Sequence, residues 1–252
     1  MSDLRISIIT VCYNSENTIR DTIESVIGQN YTNIEYIIVD GRSTDGTLEI
    51  IQNYKQKISK IISEPDIGMY DAMNKGINIA SGELIGFLHS DDLYADSTSI
   101  ENIINKINIA GTSSIYGDLV YVKKNNLSMV VRKWNAGPFS QNKFKFGWMP
   151  PHPTLFIKKA VYDKYGFFNV DFGTAADYEL IIRLFYKYKV SCTYLPIIIT
   201  KMRSGGVSNQ SFYNHLKAHI NDWRTWINND ISSFPWWVVL KPIRKVPQYL
   251  GL

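Results

Sequence analysis

Apolar and polar positions in the first hundred residues alternate between two periods. Arg5-Ile6-Ser7-Ile8-Ile9-Thr10-Val11 is a short, mostly apolar run that ends in Cys12-Tyr13-Asn14. Runs of this length bounded by turn residues predict buried strands. The period then lengthens. Ile19, Ile23, Val26 and Ile27 share one face of a helix predicted over 15–29, with Ser15 as its cap. A second strand is predicted at 35–39, ending at Asp40, followed by a turn at 41–46 and a helix carrying Leu48, Ile51 and Tyr54. A third strand is predicted at about 60–63, then a loop entering a short helix that ends near Gly82. The apolar run Glu83-Leu84-Ile85-Gly86-Phe87-Leu88 stops at His89-Ser90-Asp91-Asp92. Strands alternating with helices predict a parallel sheet covered on both faces. Such sheets bind ligands at the carboxyl ends of their strands. Tyr13-Asn14, Asp40 and Asp91-Asp92 are therefore expected to converge on one nucleotide-sized crevice.

The pattern is weaker beyond residue 96. Strands are predicted at 114–118 and 119–122, a turn at 123–126 and a loop at 136–149. Pro150-Pro151-His152-Pro153-Thr154 precedes a strand at 155–157, and a helix runs from about Thr174 through Phe185. One or two strands interrupted by Pro196 fill 190–200, and Lys201 to Ser208 is a glycine-rich basic turn whose amides and Arg203 could bind phosphate. Residues 212–228 are helical in pattern.

Two groups of carboxylates suggest chemistry. Asp91 and Asp92 repel each other unless a cation or hydrogen-bond donors compensate. A divalent metal carrying a diphosphate suits them, because hard cations prefer carboxylate and phosphate oxygens; a loop capping the next helix is the plainer reading. Asp177, in Thr174-Ala175-Ala176-Asp177-Tyr178-Glu179, lies at a helix start, where a carboxylate aimed into the crevice could act as a general base. Thr174 and Asp177 also fit the spacing of a capping box. Glu179 is the fallback base, although two residues on it points away from Asp177. The absence of Gly-x-Gly-x-x-Gly after the first strand, and of a P-loop anywhere, argues against a dinucleotide cradle.

Four segments carry a resemblance. Ser7 to Asn14, Val39 to Thr47, Met69-Tyr70-Asp71-Ala72-Met73-Asn74-Lys75-Gly76 and Ser90-Asp91-Asp92 resemble, in order and spacing, the successive signatures of family 2 glycosyltransferases. The resemblance covers about residues 5–208. It implies an α/β GT-A fold, a doubly wound Rossmann-like mixed sheet with helices on both faces and a helical C-terminal tail. It also implies inverting transfer from a nucleotide sugar, with a UDP-sugar favoured. Val11, Tyr13, Asn14, Glu16 and Asp40 would line the donor site, Asp91 would approach the ribose, and Asp92 would bind Mn²⁺ or Mg²⁺. Asn74 or Lys75 would share in holding the diphosphate, with Arg203 in the turn that closes over it, Asp177 would be the base, and His152 would line the donor or acceptor pocket. The motif departs from a strict Asp-x-Asp, and Met73 stands where many relatives have an arginine that holds the diphosphate.

Composition agrees with this reading. A chain of 252 residues, 45% hydrophobic, can bury a full α/β core. The expected division is a catalytic domain over 1–210, with donor half 1–95 and acceptor half 96–210, and a tail over 211–252. Cys12 and Cys192 read as buried thiols, no signal peptide is expected, and no apolar run reaches the roughly 20 residues of a membrane span. The net charge of +4 does not suggest nucleic acid. In the tail, Trp236 and Trp237 precede Lys241, Arg244 and Lys245, with no acid after Asp230. Aromatics beside basic residues predict contact with an anionic membrane surface. The expected setting is the cytoplasmic face of the cell membrane, with a lipid-linked glycan acceptor in bacterial polysaccharide synthesis. A sugar-1-phosphate nucleotidyltransferase and a non-catalytic glycan-binding subunit remain the alternatives.

Overall fold

The computed structural model describes residues 4–205, 223–229 and 231. Its first half follows the predicted alternation: β1 (Ile6–Cys12), α1 (Ile19–Ile27), β2 (Ile34–Asp40), α2 (Thr47–Asn53), β3 (Lys60–Ser63), α3 (Met69–Ile79) and β4 (Leu84–Phe87). The second half adds β5 (Leu93–Tyr94), α4 (Ser99–Ala110), β6 (Ser114–Lys123), β7 (Asn126–Trp134), β8 (Phe156–Lys158), α5 (Lys159–Tyr165), α6 (Ala176–Ile181) and β9 (Cys192–Arg203). The sheet order is β3-β2-β1-β4-β8-β6-β9-β5, with β7 on β6. The strands β1 to β4 are mutually parallel, β8 runs antiparallel between β4 and β6, and β9 is parallel to β6. The sheet is therefore mixed.

The period of two sorts each strand between two apolar layers. Ile6 and Ile8 of β1 join the layer under α1 and α4, whereas Ile9 and Val11 join the layer under α3 and α6. Two glycines permit close approach. A Cβ on Gly86 would overlap the Phe156 ring on the neighbouring strand, and one on Gly76 would meet Ile9 at 2.5 Å.

Several elements depart from expectation. The first helix begins at Ile19 and not Ser15, because Ser15 to Thr18 form a turn in which the Ser15 carbonyl accepts the Thr18 and Ile19 amides at 3.0 and 2.9 Å. The two strands expected over 114–122 are one, β6. The strand β7 had no expectation; its side chains are mostly exposed, so no apolar period marks it. Pro196 does not interrupt β9: the register jumps from Gly117–Leu195 to Asp118–Ile198, and this bulge holds the proline out of the ladder. Lys201 to Arg203 belong to β9, so the predicted basic turn is reduced, among described residues, to Ser204-Gly205. Thr174 lies in a 3-10 turn and Ala175 precedes α6 with no side-chain cap, so the capping box is not formed. Of the C-terminal helix, 223–228 is described, and Trp226 is buried there with its Nε1–H donating to Tyr178 Oη at 2.9 Å. Trp236, Trp237, Lys241, Arg244 and Lys245 lie outside the described residues.

Glu35, buried at the amino-terminal edge of the sheet, connects the four parallel strands. It accepts hydrogen bonds from Ser7 Oγ at 2.6 Å, the Ser81 amide at 2.7 Å and Ser81 Oγ at 2.8 Å, and pairs with Lys60 Nζ at 2.9 Å. Burial pushes this carboxyl up, but the donors outweigh it and hold it at about 2 against an ordinary 4.5. Its contribution is fully present above the ordinary value and is lost as pH falls through about 2. Glu35→Ala leaves several buried donors unmatched and is expected to cost about 2–3 kcal/mol in urea denaturation at neutral pH. It should also remove part of the wild-type stability loss between pH 4.5 and about 2. An unchanged urea midpoint would show that water replaces the carboxylate without penalty.

Candidate active site

Three loops at the carboxyl edge of the sheet are tied to one another. Asn14 turns the chain after β1 with φ 47°, a left-handed conformation that asparagine tolerates better than most residues. Its amide donates to Ser43 Oγ at 2.9 Å and its Oδ1 accepts from the Thr44 amide at 2.9 Å. Glu16 accepts the Gly46 amide at 2.7 Å. Ser15 Oγ meets Ser90 Oγ at 2.9 Å, which joins the first loop to the Asp91-Asp92 loop. The Thr22 hydroxyl of α1 donates to the Asp92 carbonyl at 2.8 Å.

The carboxylates on this edge have opposite environments. Asp40 is buried but satisfied: it accepts the Ser43 amide at 3.1 Å, Ser63 Oγ at 2.7 Å and the Ser43 hydroxyl. Asp92 is buried and neither of its oxygens has a hydrogen-bond partner among the described residues. Burial, then the neighbouring Asp91, pushes its carboxyl well above the usual range, with the Arg203 backbone and guanidinium opposing. Burial also raises Asp91, against Arg203 and Lys124. Arg203 donates to the Asp91 carbonyl at 2.8 Å and pairs with Asp21 of α1. A buried carboxylate with two orphaned oxygens fits a hard divalent cation. Among the described residues no cluster of three or more His, Cys, Asp or Glu converges on one point, so Asp92 would share such an ion with ligands from outside the described protein.

A second acidic position faces this loop. Asp177, in the first turn of α6, accepts the Tyr178 amide at 2.7 Å, and His152 Nδ1 lies 3.2 Å from its other oxygen. The His152 ring packs 5.8 Å from His89, which belongs to the same loop as Asp92. His89 is neutral: burial, then His152, holds it down at about 3, and its Nε2 has no partner. The buried Tyr70 of α3 lies against Asp177, and burial followed by the Asp177 charge pushes its phenol well above the ordinary value. A cavity of about 20 Å³ lies beside Asp177 and His152, closed by Met73, Phe87 and Phe168.

The other expected site residues divide into two groups. Tyr13 is 62% exposed at the crevice mouth, beside Gly41. Asn14, Glu16, Asp40 and Asp91 gather with it on the sheet edge, as does Arg203 at the end of β9. Val11 is buried in β1. Asn74 is occupied in the core, exchanging hydrogen bonds with the Phe168 backbone at 2.9 and 3.0 Å. Glu179 is buried and paired with Arg183 at 2.9 Å, turned away from the crevice. Tyr70 and His89 were not expected here. Tyr70 stands inside a motif segment, one residue before Asp71, and His89 immediately precedes the Ser90-Asp91-Asp92 segment, and that adjacency was the available signal.

Residues 7–166 match the family described as glycosyl transferase family 2. The chain is 34% identical over 181 residues to an uncharacterised glycosyltransferase of Mycobacterium tuberculosis, covering 71% of this chain and 68% of the relative. It is 30% identical over 211 residues to the Escherichia coli UDP-Glc:alpha-D-GlcNAc-diphosphoundecaprenol beta-1,3-glucosyltransferase, covering 82% and 81%. S. aureus TarS 1–349 in complex with UDP-GlcNAc superposes with a TM-score of 0.70 at 17% identity, covering 99% of this chain and 73% of that one. The Pyrobaculum calidifontis mannosyltransferase PcManGT, in complex with GDP-Man and Mn²⁺, gives 0.64 at 16% identity, covering 99% and 70%.

A carboxyl raised above its ordinary 3.8 keeps its proton in the folded chain after the unfolded chain has lost it. That term reduces stability as pH rises from the ordinary value toward the folded one. In chelator and without donor, the melting temperature should therefore contain a component that falls with rising pH and is absent in Asp92→Asn. Identical pH slopes for the two proteins would show that the carboxylate is compensated.

Proposed function

The chain belongs to glycosyl transferase family 2 and is a glycosyltransferase of the GT-A fold, and we propose that it is a metal-dependent, inverting enzyme. The donor would be a nucleotide-diphosphate sugar, with a UDP-sugar the first choice, and the acceptor a hydroxyl on a lipid-linked glycan. The observation that carries this reading is the uncompensated carboxylate of Asp92 in a loop whose His89 packs against His152, the neighbour of Asp177. The relatives support the substrate classes: the Escherichia coli enzyme is named for UDP-Glc and a diphosphoundecaprenol acceptor, and the TarS structure holds UDP-GlcNAc.

In this mechanism Tyr13 offers an exposed ring to the base, and the tied loops of Asn14 and Asp40 set the depth of its slot. Asp91 faces the ribose, and Asp92 holds Mn²⁺ or Mg²⁺. The metal, when bound, neutralises charge on the leaving diphosphate. The acceptor oxygen attacks the anomeric carbon from the side opposite that leaving group, which inverts the configuration, and gives its proton to Asp177. The Tyr178 amide donates to one oxygen of Asp177, and His152 Nδ1 stands 3.2 Å from the other, so the two hold its direction. His152 is thus a positioning residue. No described helix is long and apolar enough to cross a membrane, so the lipid-linked acceptor would be met at a surface, which we place at the cytoplasmic face.

Asp177→Asn should lower kcat by roughly 10²-fold or more, the range for loss of a general base, with donor affinity little changed. For His152→Asn the loss should be smaller, on the order of ten-fold, equivalent to one charge-assisted hydrogen bond. Turnover, the donor Kd and the anomeric configuration of the product by NMR provide the checks. Near-normal kcat in Asp177→Asn would remove the base assignment, and a retained configuration would remove inversion.

For the metal, the test is wild type in excess chelator, with Mn²⁺ added back, beside Asp92→Asn. Turnover should vanish in chelator and return with Mn²⁺, whereas Asp92→Asn should stay inactive under both conditions. Full wild-type turnover in chelator would sink the metal dependence.

A further inference from the structure

The β6–β7 hairpin has a surface that the transfer reaction does not use. Its strand β7 pairs with β6 along one edge, and its other edge meets no described strand. Exposed strand edges of soluble proteins usually carry charge to discourage contact. Here Met129, Val130 and Val131 stand 47%, 43% and 40% exposed on consecutive positions, where the register with β6 is shifted. Basic residues flank them: Lys123 and Lys124 at the turn, Arg132 and Lys133 toward the strand end. No Asp or Glu occurs between Asp118 and Asp163. Arg132 lies over the Tyr121 ring at 4.5 Å, which stiffens the hairpin stem.

We infer that this hairpin docks onto an anionic lipid bilayer, with Met129, Val130 and Val131 entering the headgroup boundary and Lys123 and Lys133 meeting lipid phosphates. The mixture of residue types selects the partner. A soluble polyanion would use the lysines but would leave the three apolar side chains in water. A second copy pairing along β7 would cover the apolar side chains but would bring like charges together. A bilayer interface accepts both, since apolar burial and attraction to anionic lipid act together there. The inference rests on the membrane-borne acceptor proposed above only for its purpose, and the residues it names are other than those assigned to donor, metal and base.

The test is co-flotation with phosphatidylglycerol-containing vesicles and with pure phosphatidylcholine vesicles. Wild type is compared with K123Q/K133Q, with M129S/V130T/V131T and with the tail variant K241Q/R244Q/K245Q. Wild type should float with the anionic vesicles, and less so as salt rises. Each basic residue near an anionic surface contributes about a five-fold factor in partitioning, so K123Q/K133Q should bind roughly twenty-five-fold more weakly. The apolar variant should also lose binding, and should release at lower salt than wild type. Should that variant fold poorly, a polarity-sensitive label on Met129→Cys serves instead, and its emission should shift to the blue on anionic vesicles. The inference is overturned if wild type ignores both vesicle types, if the hairpin variants float like wild type while the tail variant does not, or if the label is silent. It is equally overturned if β7 proves to be buried in a dimer. Turnover on a soluble acceptor is measured in parallel. Intact turnover with no hairpin effect removes only the docking, whereas hairpin-dependent docking without turnover removes the transfer mechanism and leaves the surface.

Discussion

One carboxylate sets the geometry on which the rest of this edge depends. Glu35 stands in β2, receives Ser7 from β1 and Lys60 from β3, and receives the Ser81 amide just before β4. Parallel strands are joined by long connections and not by hairpins, so no tight turn fixes their relative register. A buried acceptor shared by four strands supplies that constraint at the amino-terminal end. The carboxyl ends then emerge level with one another, and Tyr13, Asp40 and the Asp91 loop meet because their strands began in step.

The two edges of the sheet treat charge differently. At the structural edge every oxygen of Glu35 is matched, which lowers its pKa to about 2. At the opposite edge Asp92 is left unmatched, and its carboxyl is raised. Buried polar groups without partners are rare because they are costly, and they persist where a site needs them. His89 repeats the pattern: it is buried, neutral and unbonded at Nε2 in the same loop. This loop is less stable than a fully bonded one would be, and it opens onto the crevice. The bonds from Ser15 and Thr22 hold its backbone while its side chains remain available.

The first half of the fold was legible because its signals are local and strong. Three of the four strands there, β1, β2 and β4, are apolar runs buried on both faces, and each ends in a polar cluster. The second half was harder for physical reasons. The strand β7 is exposed, so it shows no period. Pro196 looks like a strand breaker unless the bulge opposite Gly117 and Asp118 is known, and a bulge is a property of two strands at once. The candidate site was legible as a set of motif residues, but their partners were not. Nothing in the local pattern says that Asn74 belongs to Phe168 or that His152 reaches Asp177, whereas the i,i+4 spacing of Glu179 and Arg183 was a local signal of their pairing. The first two are long-range choices decided by packing.

The contact between Trp226 and Tyr178 carries a consequence for how the protein is made. It spans 48 residues of sequence and supports the helix that holds Asp177. The four parallel strands are complete once Phe87 has left the ribosome. At synthesis rates of roughly 5–20 residues per second, Trp226 follows on the order of ten seconds later. During that interval a nascent chain can hold its finished parallel strands beside an Asp177 helix that still lacks its Trp226 contact. The support of the Asp177 helix is thus completed well after the parallel strands that it packs beside have been synthesised.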